Sequence, residues 1–386
     1  MSFRDRIKHN VPKVDLASIV TLIVGDVKSG KTRLWKEVTE LHYPNDPKAA
    51  LLIAWEKGFE TWDLANIFDM TEESSDEAER WEIFKKEIVP ELVAEAKVGR
   101  KVKLIGTDTV DKLIVAAEQW ILRNLSKKYG KKFESIGSIS GSTDDNGYLI
   151  LGNELSKPFE QLRNAGYGLM HMAWTKEKET TLYDERKYNA IELAMHNTAR
   201  KVFHTQASLI CCLHSDITIM DKQGNVLEEN LKNKSGKDIG TKFHETQVYM
   251  YFRPSQYISI AGGRYIDLPE KVEYSAENFL QVFEDAVKGQ LRNPEQMVEI
   301  KAAQEQEREE KTQKFVDQEE KKAGTKTPEE LIAAIAEAID QVTDKALRKE
   351  AASLIMKILG VKLATDYKTC TDPEKLQQCL EAIKSL

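Results

Sequence analysis

The chain has 386 residues, 31% charged and 41% hydrophobic, with 56 Lys and Arg against 63 Asp and Glu for a net charge of -7. That length holds one large core plus one smaller unit, and the acidic balance excludes a global basic field, so any contact with nucleic acid has to come from local basic patches. No apolar run approaches the roughly 18 residues of a membrane span, the first ten residues lack the apolar stretch of a signal peptide, and four cysteines without CxxC spacing make no disulfide framework, which together predict a cytoplasmic protein with reduced, packed thiols and no membrane partner.

Residues 19–24 (Ile-Val-Thr-Leu-Ile-Val) form the short β-branched run that a buried parallel strand needs, and a helical stretch, 32–41, follows a turn-rich segment. Further apolar strands are predicted at 50–55, 102–107, 168–174 and 208–213, most of them separated by helix-compatible sequence. Alternating strands and helices predict an α/β fold with a mainly parallel sheet. Beyond Cys212 come shorter strand candidates, 247–253 and 257–260, with turn signals at 221–224 and at Gly262-Gly263, which read as a β-rich edge. From 299 to 322, 14 of 24 residues are charged, the composition of a solvated helix or a disordered tether. The core is therefore expected over 1–290 and a charged linker over 291–325. Within 326–386, Thr327-Pro328-Glu329-Glu330 supplies a helix start. Ile332, Ile335, Ile339 and Val342 recur at helical spacing, a second helical segment stops at Gly360, and Asp372-Pro373 begins a third. This is a small helical module of about 60 residues, near the lower limit for independent stability.

Gly25-Asp26-Val27-Lys28-Ser29-Gly30-Lys31-Thr32 is a full G-x-x-x-x-G-K-[ST] pattern between a predicted strand and a predicted helix. The spacing follows from the chemistry: the glycines let successive amides and the helix N-terminus face phosphate oxygens, Lys31 reaches the β/γ oxygens, and Thr32 offers its hydroxyl to Mg²⁺. Asp108 ends the apolar strand that follows at 102–108, where a second Mg²⁺ ligand is expected; Asp111, three residues on, reads as a solvated or helix-capping acid. Glu56 ends the 51–56 strand at the edge where open α/β sheets bind ligands, and either polarises a water or simply terminates the strand.

In this order and spacing the phosphate loop, Glu56, the Asp108 strand and the strand at 170–176 resemble RecA-like ATPases. The closest resemblance is to the phage-encoded RecA-fold proteins of recombination and single-strand annealing, through Ile53 to Gly58 and the later Arg264-Tyr265-Ile266-Asp267-Leu268-Pro269. The resemblance covers about 15–285 and implies a RecA-like P-loop NTPase core with ATP and Mg²⁺ as cofactors. It makes Glu56 the catalytic carboxylate, Lys31, Thr32 and Asp108 the triphosphate and metal residues, and Thr175 the occupant of a polar sensor position usually filled by Gln or His. It further implies a homo-oligomer, ring or filament, with nucleotide at subunit interfaces. A cation from the neighbour would then reach the γ-phosphate; Arg264 is the candidate, with Lys242 and Arg253 behind it, although a structural salt bridge would equally explain it.

RecA-like proteins grip single-stranded DNA with loops after the Asp and sensor strands. The matching stretches here are 127–133, with Lys127, Lys128, Tyr129, Lys131, Lys132 and Phe133, and 176–188, with Lys176, Lys178, Arg186 and Lys187. Basic residues interleaved with aromatics offer phosphate attraction and stacking. Both stretches also suit a solvated loop, since Glu177, Glu179, Asp184 and Glu185 interrupt the second. The expected protein is an ATPase acting on single-stranded DNA in recombination, annealing or replication. The alternatives are a helicase or helicase-loader motor and a nucleotide-switched protein that recruits a replication partner through its C-terminal module.

Overall fold

The β-branched run at 19–24 folds as β1 (Val20–Gly25), buried along its whole length, and the amphipathic stretch behind it as α1 (Lys31–His42), which buries Leu34, Trp35 and Val38. A computed structural model describes residues 3–4, 7, 9–182, 184–220, 235, 244–323, 328–341, 345–361, 363–370 and 372–384. The chain continues through β2 (Ala50–Ala54), β3 (Ile67–Asp69), α2 (Met70–Glu73), α3 (Glu77–Ile83), α4 (Val89–Val98), β4 (Leu104–Asp108), α5 (Val110–Tyr129), α6 (Ile136–Ser140) and α7 (Gly147–Asn164). It then forms β5 (Gly168–Thr181), β6 (Lys187–Leu193), α8 (Asn197–Phe203), β7 (Leu209–Ile219), β8 (His244–Tyr251), β9 (Gly262–Gly263), β10 (Lys271–Glu273) and α9 (Ala276–Gln290). The sheet order is β10-β8-β7-β1-β5-β4-β2-β3, with β6 paired to β5 and β9 to β7. From β7 to β3 every pairing is parallel, while β8 and β10 add the antiparallel edge. The mainly parallel α/β sheet and its β-rich edge are as the sequence predicts. Of the strand candidates, 257–260 contributes only a bridge between Ile258 and Ile191, and the turn at 221–224 lies outside the described residues. No helix among the described residues is long and apolar enough to cross a membrane.

The order has a consequence for the site. β1 lies between β7 and β5, and β4 is one strand further out, so Gly25, Asp108 and residues 172–174 of β5 all reach the same, carboxyl edge of the sheet. That edge is where open α/β sheets bind ligands. β5 and β7 do not stop there. Their outer halves continue as two antiparallel ribbons, Thr175–Thr181 against Lys187–Leu193 and Cys212–Ile219 against His244–Tyr251.

The core does not end near 290. The chain divides into two compact units between Gln313 and Lys314, inside the long helix α10 (Met297–Ala323). The first half of α10 is bonded to the core by polar side chains: Gln304 accepts from Val14 N–H at 3.2 Å and donates to Pro12 O at 2.7 Å, Arg308 donates to Ala17 O at 3.0 Å, and Thr312 donates to Ala165 O at 3.1 Å. The expected linker over 291–325 is thus helical from 297, and its first part belongs to the core. The second unit, 314–386, contains α11 (Pro328–Gln341), α12 (Lys345–Leu359) and α13 (Pro373–Lys384). Leu331, Ile335, Ala351, Ile355, Leu376 and Leu380 pack as its own small core. Asp372 caps α13 through Lys375 N–H at 3.2 Å; Thr327 and Val342 lie outside the described residues.

Asp15 anchors the base of this arrangement. Its carboxylate accepts from Ala17 N–H at 2.8 Å, pairs with Lys301 of α10 at 2.8 Å and lies 3.4 Å from His42 Nε2. Burial alone would raise its pKa, but the bonds from His42, Lys301 and Ala17 outweigh burial and hold it well below the ordinary carboxylate value. A depressed folded pKa contributes stability that is present above the unfolded value and is lost as pH falls through the folded one. The stability advantage of wild type over Asp15→Asn should therefore shrink as pH drops below about 4, measured by urea denaturation across a pH series. A pH-independent difference would show that the carboxylate's charge adds nothing.

Candidate functional site

The phosphate loop is built by two close approaches. At Gly25 a Cβ would lie 2.9 Å from Leu213 O of the neighbouring strand, so only glycine lets β7 pack there. Gly30 has φ +97°, the left-handed region, and caps α1; Tyr274 Oη donates to its carbonyl at 2.9 Å. Lys31 is buried and donates to Gly25 O at 2.9 Å and Asp26 O at 2.7 Å, folding back over its own loop. Thr32 Oγ1 donates to Asp108 Oδ2 at 2.6 Å, which brings the two expected metal residues together. Trp55 N–H donates to Asp108 O at 2.6 Å, placing Glu56 beside them. Lys31, Thr32, Glu56 and Asp108 line one cleft of about 590 Å³ with Val27, Lys28, Gly30, Arg33, Lys57, Gly58, Thr61, Trp62 and Trp174.

The electrostatics of the inner cleft are uneven. Burial lowers the pKa of Lys31, opposed by the charges of Asp108, Glu56, Asp111 and Asp26. Burial raises Asp108, opposed by the Thr32 bond and by Lys31. Glu56 is raised by burial and then by the Asp108 charge, with Lys112 and Lys31 opposing. The immediate surroundings of the one buried ammonium hold four carboxylates, while Lys112 beside Glu56 and the cleft-lining Lys28, Arg33 and Lys57 bring further positive charge. Thr32 and Asp108, a hydroxyl and a carboxylate 2.6 Å apart, are the oxygen donors that a divalent cation would take there. Ser29 Oγ is buried without a hydrogen-bond partner inside the loop, as a donor meant for a phosphate oxygen would be. The residues therefore fit Mg²⁺ and a nucleotide triphosphate, with Mg²⁺ supplying charge neutralisation of the phosphoryl oxygens.

Several expectations change. Asp111 is not a solvated acid: it stands in the first turn of α5, where its carboxylate bonds its own backbone N–H, and its Oδ2 also accepts from Trp174 N–H at 2.7 Å, while burial raises its pKa. Thr175 Oγ1 donates to Asp26 Oδ1 at 2.7 Å, so the sensor position touches the phosphate loop. Arg264 is not brought to the cleft. It follows β9, whose Gly263 pairs with Leu209 at the start of β7, the sheet edge opposite the phosphate loop, and its guanidinium donates to Thr205 O at 3.0 Å. Arg253 is exposed, and Lys242 lies outside the described residues.

The two DNA-contact stretches also differ from loops. Lys127, Lys128 and Tyr129 are the last turn of α5, stopped by Gly130 at φ +64°. Lys128 and Tyr129 both bond Asp145, at 2.9 and 2.7 Å. Phe133 is only 3% exposed, so its ring belongs to the core and offers no stacking face. Tyr129 keeps 37% of its surface, and Lys131 and Lys132 are exposed. The 176–188 stretch is the β5–β6 ribbon, in which Lys178 faces Glu192, Lys187 Glu179 and Arg186 Asp184, and Lys176 donates to Ala194 O. Its cations are spent on neighbouring groups within the ribbon.

A phosphate loop at the carboxyl edge of a mostly parallel sheet, with Thr32 joined to an acid at the end of a strand one place removed, defines a P-loop NTPase core. A family model described as an AAA domain matches residues 17–257, well over half of the chain, and the chain belongs to that family of ATPase-type domains. No curated protein matches it. Trp62, Trp174 and Tyr274 are cleft or loop contacts that no sequence motif marks.

Proposed function

We propose that the protein hydrolyses ATP with Mg²⁺ and couples that hydrolysis to single-stranded DNA, in phage recombination, annealing or replication. The observation that carries the chemistry is the Thr32–Asp108 bond in a cleft that also holds Lys31 and Glu56. In this reading Lys31 and the loop amides hold the triphosphate, Thr32 and Asp108 hold the metal, and Glu56 orients and deprotonates the attacking water. DNA contact is assigned mainly to the end of α5, where Lys127, Lys131 and Lys132 have no carboxylate within salt-bridge range among the described residues, about 30 Å along the helix from Asp108. Copies are expected to assemble with nucleotide between them; Arg264, remote from its own phosphate loop, keeps the role of a donor to a neighbour. A replication or recombination protein is the partner assigned to the 314–386 unit.

The test is the ATPase rate with and without single-stranded DNA, duplex DNA and RNA. Stimulation by single strands supports this reading, processive duplex opening selects a motor, and a rate indifferent to all three selects a nucleotide-switched interaction protein. Salt titration isolates the lysines. Each phosphate contact contributes about 0.7 to the slope of log affinity against log salt for single strands. Because Lys128 is already paired with Asp145, replacing Lys127, Lys128, Lys131 and Lys132 by Ala should flatten that slope by about 2 units, not the roughly 3 expected of four free lysines. Overlapping titrations for variant and wild type would remove the α5 end from the DNA surface.

A further inference from the structure

β5 pairs with β4 as far as Met172, opposite Asp108, and with β1 as far as Trp174, opposite Gly25. Two residues beyond the last β4 partner, Trp174 N–H is taken by Asp111 Oδ2 at 2.7 Å, and Trp174 O accepts from Ala194 N–H at 2.9 Å. Trp174 is thus the residue at which β5 exchanges β4 for the β6 ribbon as its neighbour. The strand that ended at Asp108 can offer no acceptor there, and a side chain from the first turn of α5 supplies it. The Trp174 ring lines the nucleotide cleft, with the Lys112 ammonium 5.6 Å from its centroid. The next residue, Thr175, bonds Asp26 of the phosphate loop.

We propose that Asp111 is a positioning residue for nucleotide binding: by fixing where β5 leaves the sheet, it sets the Trp174 ring in the cleft and the Thr175 hydroxyl on the phosphate loop. The inference rests on the cleft being a nucleotide site. It predicts that the acceptor oxygen matters and the charge does not, because a backbone N–H is satisfied equally by a carboxylate or a carboxamide oxygen in the same place. An acid acting by its field on Lys31 would behave oppositely.

The experiment compares Asp111→Ala and Asp111→Asn in the full chain. Steady-state ATPase kinetics are read together with the MgATP-dependent emission of Trp174, isolated by subtracting the matching Trp174→Phe protein. Asp111→Ala should raise KM for ATP about tenfold, the size of a lost hydrogen bond to a charged acceptor. Its kcat should change much less, since the contacts it disturbs are made equally to substrate and transition state, and the Trp174 signal should be lost. Asp111→Asn should restore both. If Asp111→Ala does not fold, Asp111→Asn decides alone: retained KM and signal support the positioning role, and loss of both overturns it. An Asp111→Ala protein with wild-type KM and signal overturns it as well, while wild type still binds and turns over ATP. Wild-type protein that binds no MgATP overturns the nucleotide reading and this inference together.

Discussion

Lys31→Met is expected to lose MgATP affinity by about 2 to 5 kcal/mol, roughly 30- to 4,000-fold, the cost of removing one partner from a desolvated, hydrogen-bonded charge pair. The upper part of that range is favoured by what remains. Without the ammonium, the charges of Asp108, Glu56, Asp111 and Asp26 lose the one buried cation among them, leaving Lys112 and the cleft-lining Lys28, Arg33 and Lys57 to offset them, and repulsion adds to the missing contact. Methionine is preferred to alanine because Lys31 is buried beside the core, and an unbranched side chain fills most of the lysine stem's volume. The variant also deprives Gly25 O and Asp26 O of their donor, so a nucleotide-free melt should show a stability loss of about 1 to 3 kcal/mol. Calorimetric titration with MgATP is the deciding measurement: wild-type affinity in a folded variant would end the assignment of residues 25–32 as a phosphate loop.

What could be read from the sequence was whatever is local. The run Ile-Val-Thr-Leu-Ile-Val followed by Gly25 to Thr32 carries strand, turn, helix start and ligand chemistry within fourteen residues, and β1, the loop and α1 form as that run dictates. Contacts between distant residues of polar type left no such trace. Tyr274 meets Gly30 across 244 positions and Trp174 meets Asp111 across 63, and no periodicity records either. The docking of α10 was hidden for a related reason. Met297 and Ile300 pack against the core at its start, but beyond them Gln304, Arg308 and Thr312, recurring every four residues, continue the inward stripe with polar groups, whereas amphipathic reading looks for apolar residues at that spacing. Two features of the structure are legible in the letters themselves. Gly130 after Lys127-Lys128-Tyr129 is a helix stop with basic residues in the last turn. The alternation Lys176-Glu177-Lys178-Glu179 marks an exposed ribbon that can satisfy its own charges across strands.

Glu56→Gln should give the converse of Lys31→Met: MgATP held at wild-type affinity or tighter, and turnover slowed by about 100- to 10,000-fold. The substitution keeps the shape of a side chain placed by the Trp55–Asp108 backbone bond, so the cleft has no reason to rearrange. It removes one of four negative charges around Lys31, which favours a polyanion. What the amide cannot do is accept a proton from water. Burial and the neighbouring Asp108 charge raise the proton affinity of Glu56 above that of an ordinary glutamate, and Lys112 and Lys31 limit the rise, which makes it a stronger base for water than a solvated carboxylate. Equilibrium binding and single-turnover hydrolysis, measured on the same preparation, separate the two roles. Binding retained with turnover lost assigns Glu56 to the water. Binding lost with turnover would place Glu56 among the residues that hold the nucleotide, and wild-type behaviour in both would leave it as a residue of the turn that follows β2.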